Sequence, residues 1–250
     1  MSDLAEVFSV RVFSKHGPVS SDELYGSIVV NDHRGETVFF KRTGGPSDDS
    51  ILPDGSISLT PDRCTKGGHW SIRLKLYHKK GQNDLEICKG FFAISHAEYC
   101  SLYRRPMIGI LHGRDGHALV NLVMFTSAVQ ATVEVSLIAD VGCALYGHIC
   151  AGNDFVKSRN PGEKYFQITM FSVSKDKACY TNGSHIPLSR CMTPVPLKRK
   201  LRIETELFDP ITNMTVAVGT ASFVARPNGS QTETIGCIQI KVTWTEASNP

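Results

Sequence analysis

No apolar run in this sequence approaches the roughly 20 residues that a membrane-spanning helix needs. The longest windows, such as Leu119 to Phe125, stop far short, so no membrane partner is expected. Charge of one sign is equally scarce. The 27 Lys and Arg against 24 Asp and Glu leave +3, too weak a field for attraction to a polyanion by bulk charge. The N-terminus, Met1-Ser2-Asp3-Leu4-Ala5-Glu6, carries acid where a secretory leader carries a basic region and then a greasy one, and a cytoplasmic setting is expected. In a trimmed secreted form the triplets Asn182-Gly183-Ser184, Asn213-Met214-Thr215 and Asn228-Gly229-Ser230 would regain interest as glycosylation acceptors. No Cys-x-x-Cys or His-Glu-x-x-His spacing occurs, so neither a metal site nor a cofactor is expected. Helical periodicity is nearly absent as well: one short candidate, His96 to Arg104 with Ser95 as its cap, is near the minimum length for a helix.

What is present is a chain of 250 residues, 41% apolar and 20% charged, long enough to bury a substantial core without staples. Apolar and polar residues alternate over stretches of strand length, separated by Gly, Pro, Asn and Asp clusters. Expected strands in the first half are Glu6 to Phe13, Tyr25 to Val30, Glu36 to Lys41, Ser56 to Thr60, Trp70 to Tyr77 and Glu86 to Ala93. The second half continues with Met107 to Leu111, Ala118 to Phe125, Val129 to Ala139, Leu145 to Ala151, Tyr165 to Phe171, Leu201 to Phe208, Thr215 to Phe223 and Cys237 to Trp244. Residues 42 to 55 and 172 to 200 read as irregular connections. Of the eight cysteines several lie inside apolar runs, as Cys88 and Cys150 do, and mostly reduced, structural thiols are expected. Cys179 and Cys191 could close a loop in an oxidising compartment.

The chain echoes itself. Leu24-Tyr25-Gly26-Ser27-Ile28 returns as Leu145-Tyr146-Gly147-His148-Ile149, and Asn31-Asp32 as Asn153-Asp154. Each copy follows an alternating strand and precedes an aromatic-rich one. The pattern predicts an all-β fold: an antiparallel, sandwich-like architecture of two related β-units packed together, with little helix. The expected units are 1–105 and 106–250, or one composite domain.

Chemistry-bearing residues are few. The densest cluster is Leu111-His112-Gly113-Arg114-Asp115-Gly116-His117, where two histidines, a guanidinium and a carboxylate share one turn and could bind an anion or a metal. The plainer reading is a solvated hairpin turn, because Asp-Gly favours one. Cys143 with His148 suggests a thiolate and its base but lacks an orienting third member. Asp32 and Asp154 could pair for hydrolysis or calcium, or simply close turns. Basic residues gather at Lys79-Lys80, Arg104-Arg105 and Lys198-Arg199-Lys200, where a solvated face is the default and an RNA or phosphate contact the sharper alternative. Phe39, Phe40, Phe91, Phe92 and Trp70 stand in strand contexts, where core or sheet-face packing is the default over base stacking. Trp70 also follows Gly67-Gly68-His69 and could line a ligand groove at the surface; Trp244 reads as packing.

In order, Glu6 to Val12, Leu24 to Asp32, Leu59 to Arg63 and Trp70 to Leu76 resemble an uncharacterised plant domain abundant in grasses. That domain also follows the N-glycosidase domain of some cereal jasmonate-induced ribosome-inactivating proteins. The resemblance continues through Ala128 to Val135, Tyr146 to Ile149 and Ile240 to Trp244, and so covers nearly the whole chain. It departs at Thr60-Pro61-Asp62-Arg63, where the family pattern has a Gly-Pro pair before the Arg. The resemblance implies no catalytic residues, and no helical Glu-Ala-x-x-Arg segment of an N-glycosidase is present.

The expected function is a non-enzymatic binding or protein-interaction module, linked through the resemblance to plant defence or stress. Its surface would involve Trp70, the His112, Arg114, Asp115 and His117 turn, or Lys198, Arg199 and Lys200. The alternatives are a ribosome- or RNA-associated accessory module using basic patches, and a hydrolase. Partners would be a protein, a small ligand, or a second copy joined through an edge strand.

Overall fold

The computed structural model describes residues 2–17, 19, 23–43, 51, 56–95, 102–103, 105–138, 144–154, 166–181 and 184–246. The chain is all-β, as the alternation predicts, and divides into two compact units. The first comprises Asp3–Thr126 with Asn160–Phe166; the second holds Ser127–Arg159 and Gln167–Pro250 together with Met1–Ser2.

The first unit contains β1 (Ser2–Ser14), β2 (Leu24–Asp32), β3 (Gly35–Arg42), β4 (Thr65–Lys66), β5 (Trp70–Lys80), β6 (Asn83–Ile94), β7 (Met107–His112) and the first half of β8 (Gly116–Leu137). One sheet has the order β3-β2-β5-β6; in the other β8 lies between β7 and β1, and β1 also pairs with β4. Between them lies an apolar core that includes Val7, Val10, Ile28, Val30, Ile72, Leu74, Ile87, Val120 and Leu122. In β2, β5 and β8 these residues fall on one side of the strand by the period of two. In β5, Trp70, Ile72, Leu74, Leu76 and His78 are buried, while Arg73, Lys75 and Lys79 are exposed. Strands β7 and early β8 lie beyond residue 105 in sequence, yet they pair in this first unit, whose observed limit falls at 126/127.

The second unit repeats the plan. The rest of β8 is followed by β9 (Ala144–Asn153), β10 (Ile168–Val173), β11 (Cys179–Tyr180), β12 (Met192–Pro196), β13 (Lys200–Phe208), β14 (Thr215–Val224), β15 (Gly229–Ile235) and β16 (Ile238–Thr245). One sheet runs β10-β9-β13-β14, and the other joins β15, β16, late β8 and β12. With β11 set aside, strands equivalent in chain order hold equivalent places, so β2, β3, β5 and β6 correspond to β9, β10, β13 and β14.

The Tyr-Gly echo occupies matching positions. Tyr25 stacks on Tyr77 with ring centroids 5.4 Å apart, and Tyr146 on Phe208, also at 5.4 Å. Gly26 and Gly147 have φ of +123° and +121°, and a Cβ would come within 1.9 Å of the Lys75 carbonyl oxygen or 2.0 Å of that of Glu206. Only glycine meets both demands.

Four short strands fall outside the sequence expectation: β4, β11, β12 and β15. Ser56 and Ile57 make isolated bridges rather than an extended strand. The expected strands at 118–125 and 129–139 are one continuous β8, with Ser127 in the left-handed region at φ 51°. The candidate helix lies outside the described residues except for Leu102 and Tyr103, and most of the 42–55 connection lies outside them too.

Candidate functional site

The His112 to His117 turn closes the β7–β8 hairpin, and Asp115 fastens it to its surroundings. Its carboxylate accepts hydrogen bonds from the Glu86 N–H at 3.0 Å and from Arg114 Nε at 3.2 Å, and its Oδ1 lies 3.5 Å from His16 Nε2. Its own N–H donates to the Glu86 carbonyl at 2.9 Å, and the Lys15 N–H donates to its carbonyl at 2.8 Å. Partial burial opposes ionisation of Asp115, but Arg114, the Glu86 N–H and His16 outweigh it and hold the carboxyl below its usual range. His117 stacks on Phe13 with ring centroids 4.9 Å apart, and His112 lies opposite it in the hairpin with ring centroids 6.0 Å apart. The turn therefore brings His112, Arg114, Asp115 and His117 together, along with His16 and Phe13, which the sequence pattern does not connect to them. Among the described residues no group of three His, Cys, Asp or Glu side chains is arranged to hold a metal.

Asp32 is a second anchor, at the end of β2. Its carboxylate accepts from Arg63 Nη1 at 2.9 and 3.0 Å, from Arg34 Nη2 at 3.2 Å, and from the N–H groups of Arg34 at 2.9 Å and Lys66 at 2.8 Å. Burial disfavours its charge, yet these donors lower its pKa. Asp154, in the other unit, accepts from the Lys200 N–H at 3.2 Å. Both aspartates thus close their own strand ends.

Trp70 is buried at 1% exposure and packs edge-on against Phe92, with centroids 6.2 Å apart. This corrects the expectation of a surface tryptophan: position 70 falls on the inward phase of β5. Trp244 is buried, as expected. Lys198, Arg199 and Lys200 are exposed at the turn into β13, where Lys198 takes a left-handed φ of 63°. They belong to the second unit, whereas Lys79 and Lys80 belong to the first. Arg105 is exposed; Arg104 lies outside the described residues. Cys143 also lies outside them, and His148 Nε2 faces Glu206 Oε2 at 3.5 Å. Cys179 and Cys191 are free thiols, and burial pushes the Cys88 thiol up to about 12.

The arrangement with most chemical consequence is one that linear reading misses. On the outer face of β3-β2-β5-β6, the register sets Lys41 opposite Ser27, Ser27 opposite Lys75, and Lys75 directly opposite Lys89. Three lysines thus share one row about 14 Å wide, counted in strand spacings. All three are exposed, and none meets a carboxylate among the described residues. On one side of this row lie the stacked rings of Tyr25 and Tyr77. On the other lies a row of Val38, Val29, Arg73 and Phe91, with Phe91 69% exposed and Arg73 Nη2 paired to Glu36 Oε1 at 2.8 Å. Like charges placed directly across a strand pair destabilise it. The equivalent row of the second unit is Ser172, His148, Glu206 and Val218, so this sheet does not require lysines. The only hint in sequence is the outward phase of Arg73, Lys75 and Lys79; Lys41 and Lys89 join them only through register.

The second unit also has a shallow depression of about 160 Å³, lined by Val133, Glu134, His185, Ile186 and Cys191 among others. It is smaller than the several hundred Å³ of a typical small-molecule site. Among the described residues no helix is long and apolar enough to cross a membrane.

No curated protein sequence matches the chain. Among solved structures it is similar to the calcium-bound pair of C2 domains, the A and B domains, of Extended-Synaptotagmin 2, at 12% identity over 98% of this chain and 95% of that one, with a TM-score of 0.30. A second structure of those two domains gives 10% identity, coverage of 99% and 93%, and a TM-score of 0.27. Human GIVD cytosolic phospholipase A2, in complex with an inhibitor and terbium chloride, gives 8% identity over 100% of this chain and 33% of that one, with a TM-score of 0.25. Superpositions this loose carry no functional inference. The family comparison is far more extensive: residues 4–244 match the family described as Domain of unknown function (DUF6598), and the chain belongs to it.

Proposed function

We propose that the chain is a non-enzymatic binding module whose recognition surface is the outer face of β3-β2-β5-β6, and that its partner is anionic. The observation that carries this reading is the row of Lys41, Lys75 and Lys89, with two lysines directly opposed and, among the described residues, no ion pair to a carboxylate. Folding gains nothing from that placement, and a bound anion would turn a local cost into an attraction. The residues that first suggest catalysis have structural work: Asp32 and Asp115 hold strand ends together through several donors each. The resemblance to the grass-abundant domain adds a setting in plant defence or stress to this proposal.

Calorimetric titration with inorganic polyphosphate tests the reading. The double variant Lys41→Glu/Lys75→Glu is expected to bind about tenfold more weakly or worse, with the loss greatest at low salt. A variant that binds as the wild type does would refute it.

A further inference from the structure

We infer, building on the reading just given, that the anion held on this face is a single-stranded nucleic acid. Its phosphates would meet the lysine row, and its bases would stack on the aromatic residue beside that row. The order of side chains across the sheet carries the argument. A row of lysines is bordered by a row that ends in Arg73 and Phe91, which stand directly opposite one another on β5 and β6. Phe91 is 69% exposed, and its neighbours along the strand, Gly90 and Phe92, are half-buried. Its counterpart in the second unit is Thr220, so the fold does not demand a ring there. An exposed ring next to a guanidinium and one row from three ammonium groups matches what single strands need: cations for the backbone and a flat apolar surface for bases. A duplex hides its base faces inside the stack and could use only the cations. A bilayer is best met by apolar side chains that project beyond the cations, whereas Phe91 stands within a strand, among the charged rows.

Fluorescence anisotropy with a labelled RNA strand of roughly 12 nucleotides, within the span of comparable single-strand sites, provides the test. Inorganic polyphosphate and phosphatidylserine vesicles serve as parallel ligands. Phe91→Ala is expected to weaken RNA binding about tenfold, because a stacking contact is lost. The same variant should leave polyphosphate binding within about twofold of wild type, since no counterion-releasing contact is removed. Lys89→Glu should weaken both, while its melting temperature equals or exceeds that of the wild type, because Lys75 gains an opposite charge across the strand pair. Row-dependent binding of polyphosphate or vesicles with no effect of Phe91→Ala on RNA would overturn this inference and leave the broader reading standing. If no polyanion binds in a manner sensitive to Lys89→Glu, both fail.

Discussion

Asp32 is buried and ionised at once, because five hydrogen bonds from Arg63, Arg34 and Lys66 outweigh its desolvation. Its folded pKa therefore lies below the unfolded carboxyl value near 4. The ionised form stabilises the fold in full above that pH, and the contribution is lost as pH falls through the lowered folded value. Asp32→Asn is expected to cost about 3 kcal/mol at neutral pH, since Arg63 and Arg34 lose their counter-charge. Urea midpoints measured against pH should then lose part of their acid-side decline; an unchanged decline would mean that other carboxylates dominate it. Gly26 supplies a second residue-scale test. Gly26→Ala meets both a positive φ and the Lys75 carbonyl, whereas at Gly35 the φ is +106° but the space is open. Denaturant titration should give a loss of about 3 kcal/mol or more for the first and about 1 kcal/mol for the second.

At the scale of elements, alternation was a good guide wherever a strand is buried on one face. In β5 the outward Arg73, Lys75 and Lys79 and the inward Trp70, Ile72 and Leu74 are legible as written. It failed at β12, where Pro194 and Pro196 suggested an irregular connection. Both prolines stand in a short strand pairing with β8 alone, where a missing N–H costs little. The expectation of a surface Trp70 came from the preceding glycines, which suggested an exposed entry, whereas the alternation itself put position 70 inside. The lysine row was not legible: register joins residues 41, 75 and 89, and no local window contains two of them. This strand-pair geometry predicts that Lys89→Glu stabilises the protein by about 0.5 kcal/mol, readable as a small rise in melting temperature. A fall would show that Lys89 makes a favourable contact in the fold.

For the molecule as a whole, the Tyr-Gly echo identified a real repetition of strand order, because a glycine with positive φ pressed against a neighbouring carbonyl leaves few substitutes at that point in each unit. The division at 126/127 was harder to read, since it falls inside β8, where no proline or glycine interrupts the chain. Against that shared frame the two units differ in charge on matching sheet faces. One carries Lys41, Lys75 and Lys89 where the other has Ser172, Glu206 and Val218. The sequence's net charge of +3 hides this contrast, because a local field depends on where the cations stand rather than on their sum. The most direct measurement is lysine-reactivity footprinting by mass spectrometry, with and without a saturating polyanion. Lys41, Lys75 and Lys89 are expected to lose reactivity together while Lys198 and Lys200 keep theirs; protection of Lys198 and Lys200 with the row left reactive would contradict the assignment of the binding face.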